Sequence, residues 1–85
     1  MHNCGYHLKK INKGILGESS KIREELDELE DALEQKIEIM VLAEAADLYG
    51  ALKAFIEKRG MTINDLEAMN AATERAFKSG RRIGE

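Results

Sequence analysis

Proline and tryptophan are absent from this chain, cysteine occurs once, and phenylalanine and tyrosine together number four. No apolar run is longer than Ile39 to Ala43. Each shortage excludes something. With no proline and few aromatics, a small β domain is disfavoured and helices are expected. Cys4 has no second thiol with which to form an intrachain disulfide, so a reducing compartment is the default. The longest apolar run is far too short to cross a bilayer and no signal peptide is visible, so the expectation is a cytoplasmic protein without a membrane partner. The stretch Gly14-Ile15-Leu16-Gly17 lacks the Lys-Ser or Lys-Thr of a phosphate-binding loop, and no nucleophilic triad or zinc-finger spacing is present. A net charge of −3 argues against binding a nucleic-acid polymer.

What the chain does have is acid, unevenly placed. Eleven of its sixteen Asp and Glu residues lie between Glu18 and Asp47, whereas residues 1–17 carry Lys9, Lys10 and Lys13 and no acid. That first stretch has no clear period and contains Gly5, Gly14 and Gly17, so it reads as an irregular basic arm. Residues 18–85 read as a single helical domain. The arm can end as a frayed terminus, or fold over the acids so that His7, Lys9, Lys10 and Lys13 touch a phosphate or a base. His2 and His7 form no metal site by themselves, since a terminal histidine is more often solvated.

Two short runs organise the rest. Glu24-Glu25-Leu26-Asp27-Glu28 is followed by Glu44-Ala45-Ala46-Asp47, and carboxylates three residues apart sit on adjacent turns of one helix face. With Ile22 as origin and about 100° per residue, Leu26, Leu29 and Leu33 form an apolar stripe, flanked by Glu25 and Glu28 at about 60° and 120°. With Val41 as origin, Ala45, Leu48, Leu52 and Phe55 form a second stripe, and Glu44 and Asp47 repeat both offsets on the same side. Helices packed antiparallel through these stripes would bring four carboxylates to one edge. Their repulsion calls for a cation, and oxygen-only ligation favours Mg²⁺ or Mn²⁺. Zinc would recruit His or Cys, which are missing from 18–85. The bland reading is the solvated face of an amphipathic helix.

Ser19 or Ser20 can cap the first helix. Nothing marks its end: no glycine or proline interrupts 20–58, so one unbroken rod competes with a hairpin turning near Glu34 to Glu38. The second helix runs to Arg59 and stops at Gly60. Thr62 with Asp65 forms a capping box opening a third helix to about residue 79, with Ile63, Leu66, Met69, Ala76 and Phe77 as its buried stripe and Gly80 closing it. Met40 and Tyr49 read as core or interface residues, and Tyr49 also as a base-pocket candidate. Lys78, Arg81 and Arg82 follow at the last helix end, where they complement the helix dipole or hold phosphate oxygens.

Glu-Glu-x-x-Glu followed at this distance by Glu-x-x-Asp resembles the MazG-like family of all-α nucleoside triphosphate pyrophosphohydrolases. The resemblance runs from Gly17-Glu18 through both acid motifs to Asn70 and the Phe77-Lys78-Ser79-Gly80-Arg81-Arg82 tail. It implies an all-α fold, a helical hairpin plus a third helix, assembled as a homodimer or homotetramer. Such assembly also suits a chain of 85 residues, which encloses little core alone. The implied reaction is hydrolysis of a nucleoside triphosphate to monophosphate and pyrophosphate. By the same resemblance Glu25, Glu28, Glu44 and Asp47 hold Mg²⁺ or Mn²⁺, Glu24 and Glu28 serve catalysis, and Lys78, Arg81, Arg82 and Asn70 contact substrate, to which the folded arm would add His7 and Lys10. Two other readings remain: a non-catalytic nucleotide-binding protein on the same fold, and a structural helical oligomer whose acids are merely solvated.

Overall fold

The computed structural model describes residues 7–78, all-α with three helices and no strand among them. His2, Cys4, Ser79, Gly80, Arg81 and Arg82 lie outside the described residues. Residues 7–18 form no helix and lie along the hairpin made by α1 (Ser19–Gln35) and α2 (Glu38–Lys58); α3 (Ile63–Lys78) follows and touches α2 but not α1. Among the described residues no helix is long and apolar enough to cross a membrane.

The rod is excluded by one residue. Lys36 adopts the left-handed conformation, φ 62° and ψ 34°, and its N–H donates to the carbonyls of Ala32 and Leu33, closing α1. A lysine can occupy that region at a steric cost glycine would not incur, so the turn carried no sequence mark. Ile37 is extended and starts α2 without a side-chain cap. The Ser19 or Ser20 cap did not form either: both lie inside α1, Glu18 holds the cap position, and the Ser20 hydroxyl instead accepts the N–H of Ile15 at 3.0 Å. The capping box of α3 did form, with Thr62 N–H to Asp65 Oδ2 at 2.9 Å and Asp65 N–H to Thr62 Oγ1 at 3.2 Å. Gly60, at φ 86°, provides the preceding reversal.

The hairpin does not pack through its apolar stripes. Residues buried on α1 are Glu24, Glu25, Glu28, Asp31 and Ala32, a face turned about 120° from the stripe and centred on Glu28. Leu26 and Leu33 are left 36% and 53% exposed. On α2, Glu44, Ala51 and Ile56 are buried, Val41, Leu48, Leu52 and Phe55 half-buried, and Ala45 exposed. The expected stripe of α3 is not buried, because α3 touches α2 alone and only lightly: Met69 and Phe77 are each more than half exposed. Among the described residues the buried apolar ones number three, Ala32, Ala51 and Ile56. The radius of gyration, 15.5 Å, exceeds the about 12 Å of a compact domain of this length.

Because Lys36 carries its Cβ in the left-handed region, Lys36→Val should cost about 1–2 kcal/mol. Lys36→Gly should be neutral or slightly stabilising. Urea midpoints of the two variants check this.

Candidate metal centre

The hairpin turn sets α1 and α2 antiparallel, so Glu28 meets Glu44 and Glu25 meets Asp47. One carboxylate oxygen from each of these four residues lies within 4.8 Å of the other three. Glu25, Glu28 and Glu44 are buried and Asp47 is exposed. Ala32 and Ala51 are buried within the hairpin, where small side chains let the helices close over the acids. Burial, then a hydrogen bond to Glu44 and the charges of Glu25 and Glu44, pushes the Glu28 carboxyl up to about 8. Burial and the Glu44 charge raise Asp47 as well.

The arm closes the other side of α1. His7 Nδ1 stands 2.8 Å from Asp31 Oδ2, which also accepts the N–H of Leu8 at 2.9 Å and Gln35 Nε2 at 3.3 Å. Burial by itself would raise Asp31, but the Leu8 N–H and His7 hold it below the usual carboxylate range. Further along, the N–H of Gly14 donates to Glu24 Oε1 at 2.8 Å. A Cβ on Gly14 would collide with the Ser20 carbonyl, so only glycine brings the arm this close. Lys21 Nζ lies 3.1 Å from both Glu24 Oε1 and Glu25 Oε2, and Lys13 Nζ lies 3.8 Å from Glu24 Oε2. Burial opposes ionisation of Glu24, yet the Gly14 N–H and Lys21 hold its carboxyl below the ordinary value. Glu24 is thus a tether for the arm.

Between arm and hairpin is a cleft of ≈ 470 Å³ whose lining includes Lys13, Lys21, Glu24, Glu25, Glu28 and Asp47. Three of the arm's cations diverge here: Lys13 lines the cleft, Lys10 is exposed, and Lys9 sits 3.7 Å from Glu34. Tyr49 is 53% exposed and does not line the cleft, and Met40 is half-buried. Asn70 is exposed on α3, and Lys78 pairs with Glu74 at 3.6 Å; neither lines the cleft within one chain.

Sequence reasoning missed Asp31 altogether and offered His7 as a substrate contact, not as part of a metal site. Instead the His7 side chain is only 5% exposed, and its Nε2 faces Glu28 Oε1 at 3.7 Å and Glu44 Oε2 at 3.6 Å. Asp31 follows Glu28 by three residues, and that spacing was the available signal. Glu25 Oε1 is buried without a hydrogen-bond partner among the described residues. A set of oxygen donors with an orphaned buried oxygen fits a hard divalent cation, which would supply the compensation that burial withholds. No protein-family profile, curated protein or solved structure matches the chain.

Between pH 4.5 and about 8 the folded chain keeps a proton on Glu28 that the unfolded chain has released. Stability without metal therefore falls as pH rises through that window, and Asp47 adds to the fall from below. Asp31 and Glu24 act oppositely, contributing stability that is lost as pH drops through their lowered folded values. Thermal melts in chelator should peak at about pH 5 and decline toward pH 8. Glu28→Gln should remove most of the decline.

Proposed function

We propose that this chain is a divalent-metal-dependent nucleoside triphosphate pyrophosphohydrolase of MazG-like type. The observation that carries the reading is the meeting of Glu25, Glu28, Glu44 and Asp47 on facing helices, with one oxygen of each within 4.8 Å of the rest. Ions held there supply charge neutralisation for a triphosphate and lower the pKa of water, the two contributions that hydrolysis of a phosphoanhydride needs. Mg²⁺ or Mn²⁺ suits the oxygen donors.

The chain's own groups divide the remaining work. Lys13 and Lys21, in the cleft lining, offer ammonium groups to phosphate oxygens, and Glu24 holds both lysines and the Gly14 N–H in place. Deprotonated Glu28 both ligates and orients the attacking water by accepting its hydrogen bond. Lys78 does not line the cleft of its own chain, so the basic tail with Arg81 and Arg82, and Asn70 with it, would serve the cleft of a second copy.

A homodimer or homotetramer also accounts for the apolar surface. Leu26, Leu33, Ile37, Ile39, Leu42 and Tyr49 of the hairpin stand 36–70% exposed, against three buried apolar residues among those described. Surface of this kind marks an interface. A reducing, nucleotide-rich compartment such as the cytoplasm suits both the substrate and the lone Cys4.

Purified protein incubated with a panel of ribo- and deoxyribonucleoside triphosphates and Mg²⁺ or Mn²⁺ should release monophosphate and pyrophosphate. Glu28→Ala should reduce kcat by at least about 100-fold while leaving the helical circular dichroism intact. Diphosphate with orthophosphate would refute the bond assigned, and bound but unchanged nucleotide would favour a binding protein. Light scattering at micromolar concentration should show a dimer or larger, and Leu33→Asp should shift it toward monomer.

A further inference from the structure

His7 occupies a position the four-carboxylate site does not require. It comes from the arm, outside the hairpin, and its ring is enclosed between Asp31 on one edge and Glu28 and Glu44 on the other. Asp31 Oδ2, also bonded by the Leu8 N–H, is an ionised acceptor, so Nδ1 donates to it at 2.8 Å. That bond orients the ring and turns Nε2 toward the two glutamates. The Nε2 separations from Glu28 Oε1 and Glu44 Oε2, 3.7 and 3.6 Å, are too long for hydrogen bonds. They match donors sharing one ion: atoms about 2.0–2.2 Å from a metal, at tetrahedral to trigonal angles, stand roughly 3.3–3.8 Å apart. One donor atom each from His7, Glu28 and Glu44 also falls within 4.8 Å of the others.

The geometry points to a second cation position, ligated by His7 Nε2, Glu28 and Glu44 and adjoining the all-oxygen position of Glu25, Glu28, Glu44 and Asp47, with Glu28 and Glu44 common to both. This rests on the metal-dependent reading above and deepens it. The two positions differ in chemistry. An imidazole nitrogen is a poor ligand for Mg²⁺ and a good one for borderline first-row divalent ions such as Co²⁺ and Zn²⁺. Asp31 is a positioning residue: it holds the ring and contributes no ligand. The arm is then part of the metal site, so an ion bound there would also pin residues 7–14 against α1.

Calorimetric titration of the full chain and its His7→Gln and Asp31→Asn variants with Co²⁺ and Mg²⁺ tests the assignment. Co²⁺ affinity should fall by about 10–100-fold in both variants, with Mg²⁺ affinity unchanged. The retained Mg²⁺ response and circular dichroism show that the variants are folded. Nitrogen-15 spectra of the wild-type histidine rings, needing no folded variant, should show the His7 Nε2 resonance shifted on adding Zn²⁺, with Nδ1 still protonated. Equal Co²⁺ affinity in all three proteins, or a His7 Nε2 still bearing a proton at saturating Zn²⁺, would overturn the second position while Mg²⁺ binding left the first standing. Absence of any divalent binding to the wild type would remove both.

Discussion

Carboxylates buried together between two helices and an arm are the constraint on which the rest of this structure depends. Among the described residues Glu24, Glu25, Glu28, Asp31 and Glu44 are buried, while the buried apolar residues are Ala32, Ala51 and Ile56. Five acids beside three apolar residues is the reverse of an ordinary core, in which ionisable groups are rarely enclosed unless paired. The acids fall into two sets by how their charge is met. Glu24 and Asp31 are met by the N–H groups of Gly14 and Leu8, by Lys13 and His7 of the arm, and by Lys21 of α1 itself. Glu25, Glu28, Glu44 and Asp47 face one another, with Lys21 beside Glu25, and the raised Glu28 carboxyl marks their mutual repulsion.

This division links fold to chemistry. Hydrogen bonds from the arm seat Glu24 and Asp31, so the positions of His7 and Lys13 follow from the same contacts that fix the flanks of the acidic cluster. A site assembled this way is preorganised on two helices, which hold geometry better than loops do, and its third wall is a segment with few apolar anchors. Glu28 and Glu44 occupy the centre, each within reach of both donor groups.

The apolar surface is the other half of the account. Rotating α1 so that its acids face inward leaves Leu26 and Leu33 facing outward, and α3 packs only against α2. Burying a leucine side chain stabilises by about 1.5–3 kcal/mol, so the exposed residues represent much of the stability available to so small a chain. The self-association proposed above would recover that contribution and leave the acidic face open.

The all-α composition, the stop at Gly60, the Thr62–Asp65 capping box, the irregular arm and the equal offsets of the two acid pairs were legible in the sequence. They depend on local propensity and on residues within one or two turns of each other. Three features were not. The turn at Lys36 uses a left-handed conformation in a residue that does not advertise it. The rotation of α1 depends on what else must be enclosed: periodicity locates an apolar stripe but not whether a neighbouring helix of the same chain or another molecule covers it. The partnership of His7 with Asp31 joins residues 24 apart in sequence. The pattern therefore determined which residues share a helix face. Tertiary structure decided which face is inside, because that choice balances the burial of carboxylates against apolar area left at the surface, a balance set only when the arm and both helices are in place.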